Sequence, residues 1–256
     1  MVSVLKPFSI FAVVFTTAIF LSANSINVTY IKGKVESIEE KEDEQVSIND
    51  LEVNASITPT QVIASGKGSR IEARSNKNIW RLGSLSVARW YSGNKFWLHS
   101  GSALYCSQKM NSIEFSTREA NATFEGKGTI IIEATSNGGF KFIPLEAKGT
   151  ISTKEGGTKE VISGRMMLIL GNPSQFGDAF DIDLLLMVKS SRLLNEYPTS
   201  LPSIEHIGLS IYVQQLKLKG KYNALIGDAT TNENLQMWKF GNSADTKGNI
   251  QNLKRK

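Results

Sequence analysis

Short apolar runs separated by glycine-containing turns, about one turn every ten residues, fill residues 66–170. Within these runs apolar and polar residues alternate; in residues 84–89, for example, Leu85 and Val87 share one face. Residues 130–132 are three consecutive isoleucines, which predicts a strand covered on both faces. The pattern predicts an all-β domain, mainly antiparallel and sandwich- or solenoid-like.

Four aromatic residues flank a predicted hairpin at residues 92–95, where Gly-Asn at the centre suits a primed turn. With a two-residue loop, Tyr91 would face Phe96 and Trp90 would face Trp97. One pair should then enter the core, while the other should be more exposed. Two interpretations stay open: both pairs pack between layers, or one forms a platform for sugar rings or a partner protein. These four residues are the candidate interaction surface.

Gly126 and Gly128 flank a lysine and superficially resemble a phosphate-binding loop. That motif requires a longer glycine spacing and a following helix, whereas strand-forming residues follow here. Nucleotide binding is therefore not expected. The two glycines instead predict a turn or bulge at which two backbones approach closely.

The composition changes at residues 171–173, Gly-Asn-Pro, which predicts the end of the β region. Residues 181–195 and 203–226 have helical character, and Asp181 and Asp183 suit the start of the first helix. Together the two segments predict a helical hairpin that packs on the sheet or on a partner.

The N-terminus has one lysine, an apolar stretch from Pro7 to Leu21 and small residues at Ala23 and Ser25. These features predict a secretory signal peptide cleaved after Ser25. The apolar stretch is shorter than the roughly 20 residues that a bilayer span prefers. Retention of the segment as an anchor is the alternative.

The predicted organisation follows from these boundaries. It comprises a signal peptide at residues 1–25, a β domain at 26–170, a helical hairpin at 171–244 and a flexible polar tail at 245–256.

Residue types that carry chemistry are scarce, since the chain has one cysteine and two histidines. A CxxC site is impossible, a histidine-rich zinc site is not expected, and Cys106 should be a buried small hydrophobe. No nucleophile motif lies near His99 or His206, so no catalytic residue, metal site or cofactor is predicted. The net charge of +5 is scattered and does not resemble the basic stripe of a nucleic-acid-binding protein.

Four segments together resemble the FecR-domain family, named after the periplasmic regulator of ferric-citrate uptake. They are residues 64–74 (ASGKGSRIEAR), 79–86 (IWRLGSLS), 97–104 (WLHSGSAL) and 125–134 (EGKGTIIIEA). The resemblance covers roughly residues 60–170. With its helical segment, the whole chain is similar to exported bacterial FecR-domain proteins of the Verrucomicrobia type.

The resemblance implies a non-enzymatic all-β module located in the periplasm, on the outer-membrane surface or outside the cell. Signalling members of the family sense an outer-membrane transporter and report to a cytoplasmic sigma-factor system. Only residues 1–7 precede the apolar segment here, so a cytoplasmic sigma-binding domain is not expected. A binding or scaffold protein is the leading hypothesis.

Two alternatives accompany it: a periplasmic sensor that keeps the N-terminal segment as an anchor, and a carbohydrate-binding module. The expected partner is an envelope protein that docks on the helical hairpin, or a polysaccharide in the carbohydrate-binding alternative. Contact with a membrane is expected only if the N-terminal segment is retained.

Overall fold

A computed structural model of the chain is the basis for the description of the fold. It describes residues 26–40, 45–75, 78–218, 223–226 and 236–239. The predicted signal peptide and polar tail lie outside the described residues. Within the described part of the chain, no helix is both long and apolar enough to cross a bilayer.

Strands dominate the described structure, and fifteen of them join into one sheet. Their bounds are β1 (Ile26–Lys32), β2 (Val35–Glu40), β3 (Val46–Asp50), β4 (Ser56–Ile57), β5 (Val62–Ser65), β6 (Arg70–Ser75), β7 (Asn78–Leu82), β8 (Val87–Ser92), β9 (Lys95–Ser100), β10 (Ser102–Ser116), β11 (Asn121–Ala134), β12 (Phe140–Thr153), β13 (Gly157–Glu160), β14 (Arg165–Leu170) and β15 (Gln175–Asp181). A hairpin of β16 (Asn223–Ile226) and β17 (Gln236–Lys239) forms a second, small sheet. The predicted all-β class with a helical C-terminal part is confirmed.

The large sheet forms two layers because β10, β11 and β12 are long enough to take part in both. The first half of β10 pairs with β7, whereas its second half pairs in parallel with β9. The first layer thus runs β4-β1-β6-β7-β10-β11-β12-β14-β15, and the second runs β3-β2-β5-β8-β9-β10-β11-β12-β13. All pairs except β9 with β10 are antiparallel.

Glycines lie where the long strands pass from one layer to the other. Gly126 is opposite Gly149, and Gly128 is opposite Ala147. Gly128 and Gly149 have φ angles of +126° and +143°, and a Cβ on either would lie 2.1 Å from a backbone oxygen of the neighbouring strand. The close backbone approach predicted for Gly126 and Gly128 is confirmed.

Aromatic side chains fill the space between the two layers. Trp80 of the first layer is at the centre, with its ring 5.9 Å from Trp90 and 4.5 Å from Phe96 of the second layer. Tyr105 lies 4.7 Å from Trp80 and 5.7 Å from Phe115. These contacts between rings join the two layers into one sandwich.

Three short helices cover the outer face of the first layer. They are α1 (Leu184–Ser190), α2 (Arg192–Asn195) and α3 (Ile204–Leu218). Ile130 and Ile132 point into the core between the layers, whereas Ile131 packs beneath the helices with Met187 and Ile207. The central strand is therefore covered on both faces, as residues 130–132 predicted.

The predicted boundary at residue 170 is wrong, because β15 continues the sheet by pairing with β14. Asp181 ends that strand and lies 3.7 Å from Arg165 instead of starting a helix. Asp183 does cap α1, since its side chain accepts a hydrogen bond from the Leu186 N–H at 3.0 Å. The acidic pair predicted a helix start three residues too early, because the strand pairing of this segment depends on β14.

The second predicted helix, residues 203–226, is also too long. The observed helix ends at Leu218, and Asn223–Ile226 form a strand. A short apolar run fits a helix and a strand equally well when only its periodicity is considered.

Candidate functional site

The β8–β9 hairpin has the predicted two-residue loop, with Ser92 opposite Lys95, but the aromatic pairing differs from the prediction. Trp90 faces Phe96, and Trp97 faces Arg89. A bulge between Trp90 and Ser92 shifts the register by one residue. The predicted pairs, Tyr91 with Phe96 and Trp90 with Trp97, are therefore wrong.

This register divides the four candidate residues between the core and the surface. Trp90 and Phe96 are buried between the layers, so neither reaches a ligand from solvent. Trp97 is half-buried, and Tyr91 is 40% exposed. Only Tyr91 and Trp97 lie on the outside of the second layer.

Trp97 belongs to a row of side chains that crosses the outer face of the second layer. Reading across β8, β9, β10 and β11, the aligned residues are Arg89, Trp97, Ser116 and Asn121. The adjacent row is Lys95, Glu114, Thr123 and Ser152. Both rows place an aromatic or cationic group on β9 and smaller polar groups towards β12.

A shallow cleft of about 300 Å³ lies at the β12 end of these rows. Its polar walls are formed by Glu114, Asn121, Thr123, Ser152 and Lys154. They offer hydroxyl, amide, carboxylate and ammonium groups within one concave surface. We refer to Trp97 together with this cleft as the outer-face site.

The aromatic end of the outer-face site is held by neighbouring side chains. The guanidinium of Arg89 lies 4.6 Å from the centre of the Tyr91 ring and donates a hydrogen bond to the Pro59 carbonyl at 2.6 Å. The Trp97 ring lies 5.2 Å from that of His99. Glu114 pairs with Lys95 at 3.1 Å, so these two opposite charges compensate each other.

The helical side of the molecule contains a buried ion pair that the sequence analysis did not identify. Glu72 on β6 and Arg81 on β7 are each 1% exposed, and the Arg81 Nε donates to Glu72 Oε2 at 2.9 Å. Arg81 also donates to the backbone carbonyls of Leu193 and Thr199, which belong to the helical segment. The pair therefore links the sheet to the helices that cover it.

The charge of Glu72 is stabilised by several donors. Burial alone disfavours the carboxylate, but hydrogen bonds from Arg81, Arg74 and Thr29, together with the Arg81 charge, outweigh it and lower the pKa of Glu72. Thr199 adds a hydroxyl within 3.4 Å of the same carboxylate. Glu72 thus remains ionised at neutral pH and keeps Arg81 compensated.

Tyr197 fixes the connection between α2 and α3. Its hydroxyl donates to the Leu82 carbonyl at 2.8 Å, and the Arg81 guanidinium lies 4.3 Å from its ring centre. Burial raises the pKa of Tyr197 well above that of an exposed tyrosine, so the hydroxyl stays protonated and able to donate.

The third helix presents apolar side chains on two opposite sides. Ile207 is buried against the sheet, and the Gln214 side chain holds the same side by donating to the Ile182 carbonyl at 2.6 Å. On the opposite side, four residues form what we call the α3 stripe. They are Leu209 (59% exposed), Tyr212 (60%), Val213 (37%) and Leu216 (57%).

Groups with catalytic or metal-binding chemistry are dispersed. Cys106 is buried as predicted, burial raises the pKa of its thiol, and its Sγ lies 3.6 Å from the Ser203 hydroxyl. His99 and His206 are exposed on different elements. Among the residues that the structure describes, no group of three or more His, Cys, Asp or Glu is arranged to hold a metal ion.

Comparison with known proteins finds no family model, no curated protein and no solved structure that matches this chain. The resemblance to the FecR-domain family thus stays a prediction from the sequence.

Two of these features leave a signal in the sequence that is absent from the predictions above. The α3 stripe follows the i, i+3, i+4, i+7 spacing of one helix face. Glu72 and Arg81 each lie inside an apolar strand pattern, which is an unusual position for an ionised residue. Their pairing joins two separate strands, so it cannot be predicted from the periodicity of either strand alone.

Proposed function

We propose that this protein is an exported, non-enzymatic binding or scaffold module of the FecR type, which acts in the periplasm or cell envelope and docks another envelope protein through α3. The observation that carries the proposal is the α3 stripe, which lies opposite the side of the helix that packs on the sheet. An apolar face of this kind indicates a surface that another protein covers.

The stripe is rigidly presented, which favours binding. Tyr197 and Arg81 attach the segment before α3 to the sheet, and Gln214 attaches the helix itself. A helix that is already ordered loses little conformational freedom when a partner binds.

The chemistry of the stripe specifies the partner. Its spacing is that of helix-in-groove recognition, in which four apolar side chains of one helix enter a groove or pack on a second helix. Glu205 is exposed at the N-terminal end of α3 and favours a basic residue at the matching end of the partner. The proposed partner is therefore a protein with an apolar helix or groove bordered by a basic residue.

A membrane surface fits this helix less well. Helices that lie in a bilayer interface carry lysine and arginine on their polar face. The helix, Ile204–Leu218, contains one lysine, Lys217, and no arginine, and its other polar positions include Glu205, His206 and two glutamines.

Site-specific photocrosslinking in the native envelope tests the proposal. A photoreactive phenylalanine analogue at Leu216 should crosslink to a single envelope protein, whereas the same analogue at the neighbouring exposed Gln215 should not. Leu209→Lys combined with Leu216→Lys should abolish capture of that protein, with the melting temperature kept within a few degrees. Equal crosslinking at both positions, or capture that survives the double substitution, would contradict docking through α3.

Export is tested separately by N-terminal sequencing of the protein recovered from its compartment. A start at Ile26 agrees with the exported module. A retained leader would favour the anchored periplasmic sensor, and recovery from the cytoplasm would refute export in either form.

A further inference from the structure

A second surface, the outer-face site, lies on the side of the sandwich away from the helices. We infer that it binds a neutral glycan chain, with one sugar ring stacked on Trp97 and the following rings extending towards the cleft at β12. This inference is independent of docking through α3.

The shape of the site suits a chain-like ligand. Trp97, Ser116 and Asn121 are aligned across three neighbouring strands, and the cleft continues to Ser152 and Lys154 beyond them. With strands about 4.8 Å apart, the distance from β9 to β12 is about 14 Å. That length accommodates several linked sugar rings and exceeds a single one.

The chemical groups of the site suit sugar hydroxyls. Trp97 provides an aromatic surface for the apolar face of a sugar ring. The hydroxyls of Thr123 and Ser152 and the amide of Asn121 can both donate and accept hydrogen bonds. Sugar hydroxyls have the same dual capacity, so the match does not depend on a net charge.

Charge favours a neutral glycan over an acidic polymer. Lys95 is compensated by Glu114 at 3.1 Å, and Arg89 is occupied by the Tyr91 ring and the Pro59 carbonyl. Binding of a polyanion relies on several uncompensated cations along its path. Lys154 is the single cation among the residues that line the described cleft.

A peptide strand fits the site less well. Peptides that extend a sheet form main-chain hydrogen bonds at an open strand edge. Here β9, β10, β11 and β12 each pair with neighbours on both sides. The outer-face site thus offers side chains alone.

Isothermal titration calorimetry with hexamers of β-1,4-glucan, β-1,3-glucan and chitin tests the inference on the chain from residue 26 onward. At least one hexamer should bind, and Trp97→Ala should weaken that binding at least about tenfold. Thr123→Val, which keeps the side-chain shape, should weaken it several-fold. Tyr212→Ala, which removes an exposed aromatic from α3, should leave it unchanged.

Binding of none of the three hexamers, or binding that Trp97→Ala and Thr123→Val both leave intact, would overturn the inference. A hexamer of galacturonic acid that binds more tightly than every neutral hexamer would overturn the assignment to neutral glycans. Loss of glycan binding in Tyr212→Ala would move the site to α3. The α3 stripe lies on the helices that cover the first layer, whereas Trp97 lies on the outer face of the second layer. The photocrosslinking result therefore remains interpretable in each case.

Discussion

The two sides of the first sheet layer are covered in different ways. Towards the second layer, Trp80 and Tyr105 meet other aromatic rings, and the contact is mainly apolar, with the Tyr105 hydroxyl bonded to Asn78 and Asn111. Towards the helices, aliphatic packing around Ile131 and Met187 is accompanied by buried charge, of which Arg81 is the centre. Burial of apolar side chains holds the two layers together, whereas hydrogen bonds from Arg81 also hold the helical segment on the sheet.

The reason for the difference lies in the backbone. In the sandwich, strand pairing satisfies the main-chain groups, so side chains there need only fill space. The helical segment lacks such a ladder, and the carbonyls of Leu193 in α2 and of Thr199 in the α2–α3 connection accept hydrogen bonds from Arg81 instead. The arginine in turn needs Glu72 to compensate its buried charge.

The largest effect is expected from Trp80→Ala, which opens a cavity at the centre of the sandwich. The free energy of unfolding should fall by about 4 kcal/mol, measured by urea denaturation. Trp97→Ala is the matched control on the outer face and should cost less than about 1 kcal/mol. Similar losses for both variants would show that the inter-layer core is not the main source of stability.

Arg81→Met should cost about 3 kcal/mol, because it leaves the Glu72 carboxylate buried without its main partner. Hydrogen exchange should rise in residues 193–203 more than in β11. The double variant Glu72→Leu with Arg81→Met should recover much of the lost stability, since no uncompensated charge remains. A double variant as unstable as Arg81→Met would contradict this account of the pair.

Because the pKa of Glu72 is lowered, the protein should lose stability in acid. The free energy of unfolding lost in this way should be smaller than the loss caused by Arg81→Met. Its contribution is complete above the ordinary pKa of 4.5 and is lost as pH falls through the lower native pKa. Protonation removes the ionic attraction but leaves neutral hydrogen bonds in place. Urea titrations between pH 7 and pH 3 should therefore show a steeper loss for the natural protein than for Glu72→Gln. Parallel curves would argue against a stabilised carboxylate.

Tyr197→Phe should have the smallest effect, about 1 kcal/mol, because one buried hydrogen bond is lost while the ring stays in place. The loss should be localised to the helices, with increased amide exchange in α3 and little change in β8 or β9. Equal increases in both regions would mean that the two sides of the first layer do not open independently.

The features predicted correctly are those that depend on local spacing. The uninterrupted isoleucines at 130–132 predict burial on both sides, as observed. The alternation in residues 84–89 is an exception, because β8 begins only at Val87, and Leu85 is exposed in the preceding turn while Ser86 and Ala88 are buried. Gly126 and Gly128 predict a close approach of two backbones, because a Cβ at either position would clash with the neighbouring strand. Each of these signals is contained within a few neighbouring residues.

The failures involve partners that are distant in the chain. The bulge beside Trp90 depends on how β8 pairs with β9, and it decided that Phe96 is buried while Trp97 faces outward. The strand Gln175–Asp181 required β14 as a neighbour before its acidic residues could be interpreted correctly.

The amino-acid order alone was sufficient for the β class, the covered central strand and the presence of C-terminal helices, because periodicity and glycine placement act over short distances. The exposed aromatic surface, the Glu72–Arg81 pair and the orientation of the α3 stripe were decided by tertiary contacts. Register, bulges and charge compensation arise only when strands and helices far apart in the chain come together, and no local pattern records that arrangement.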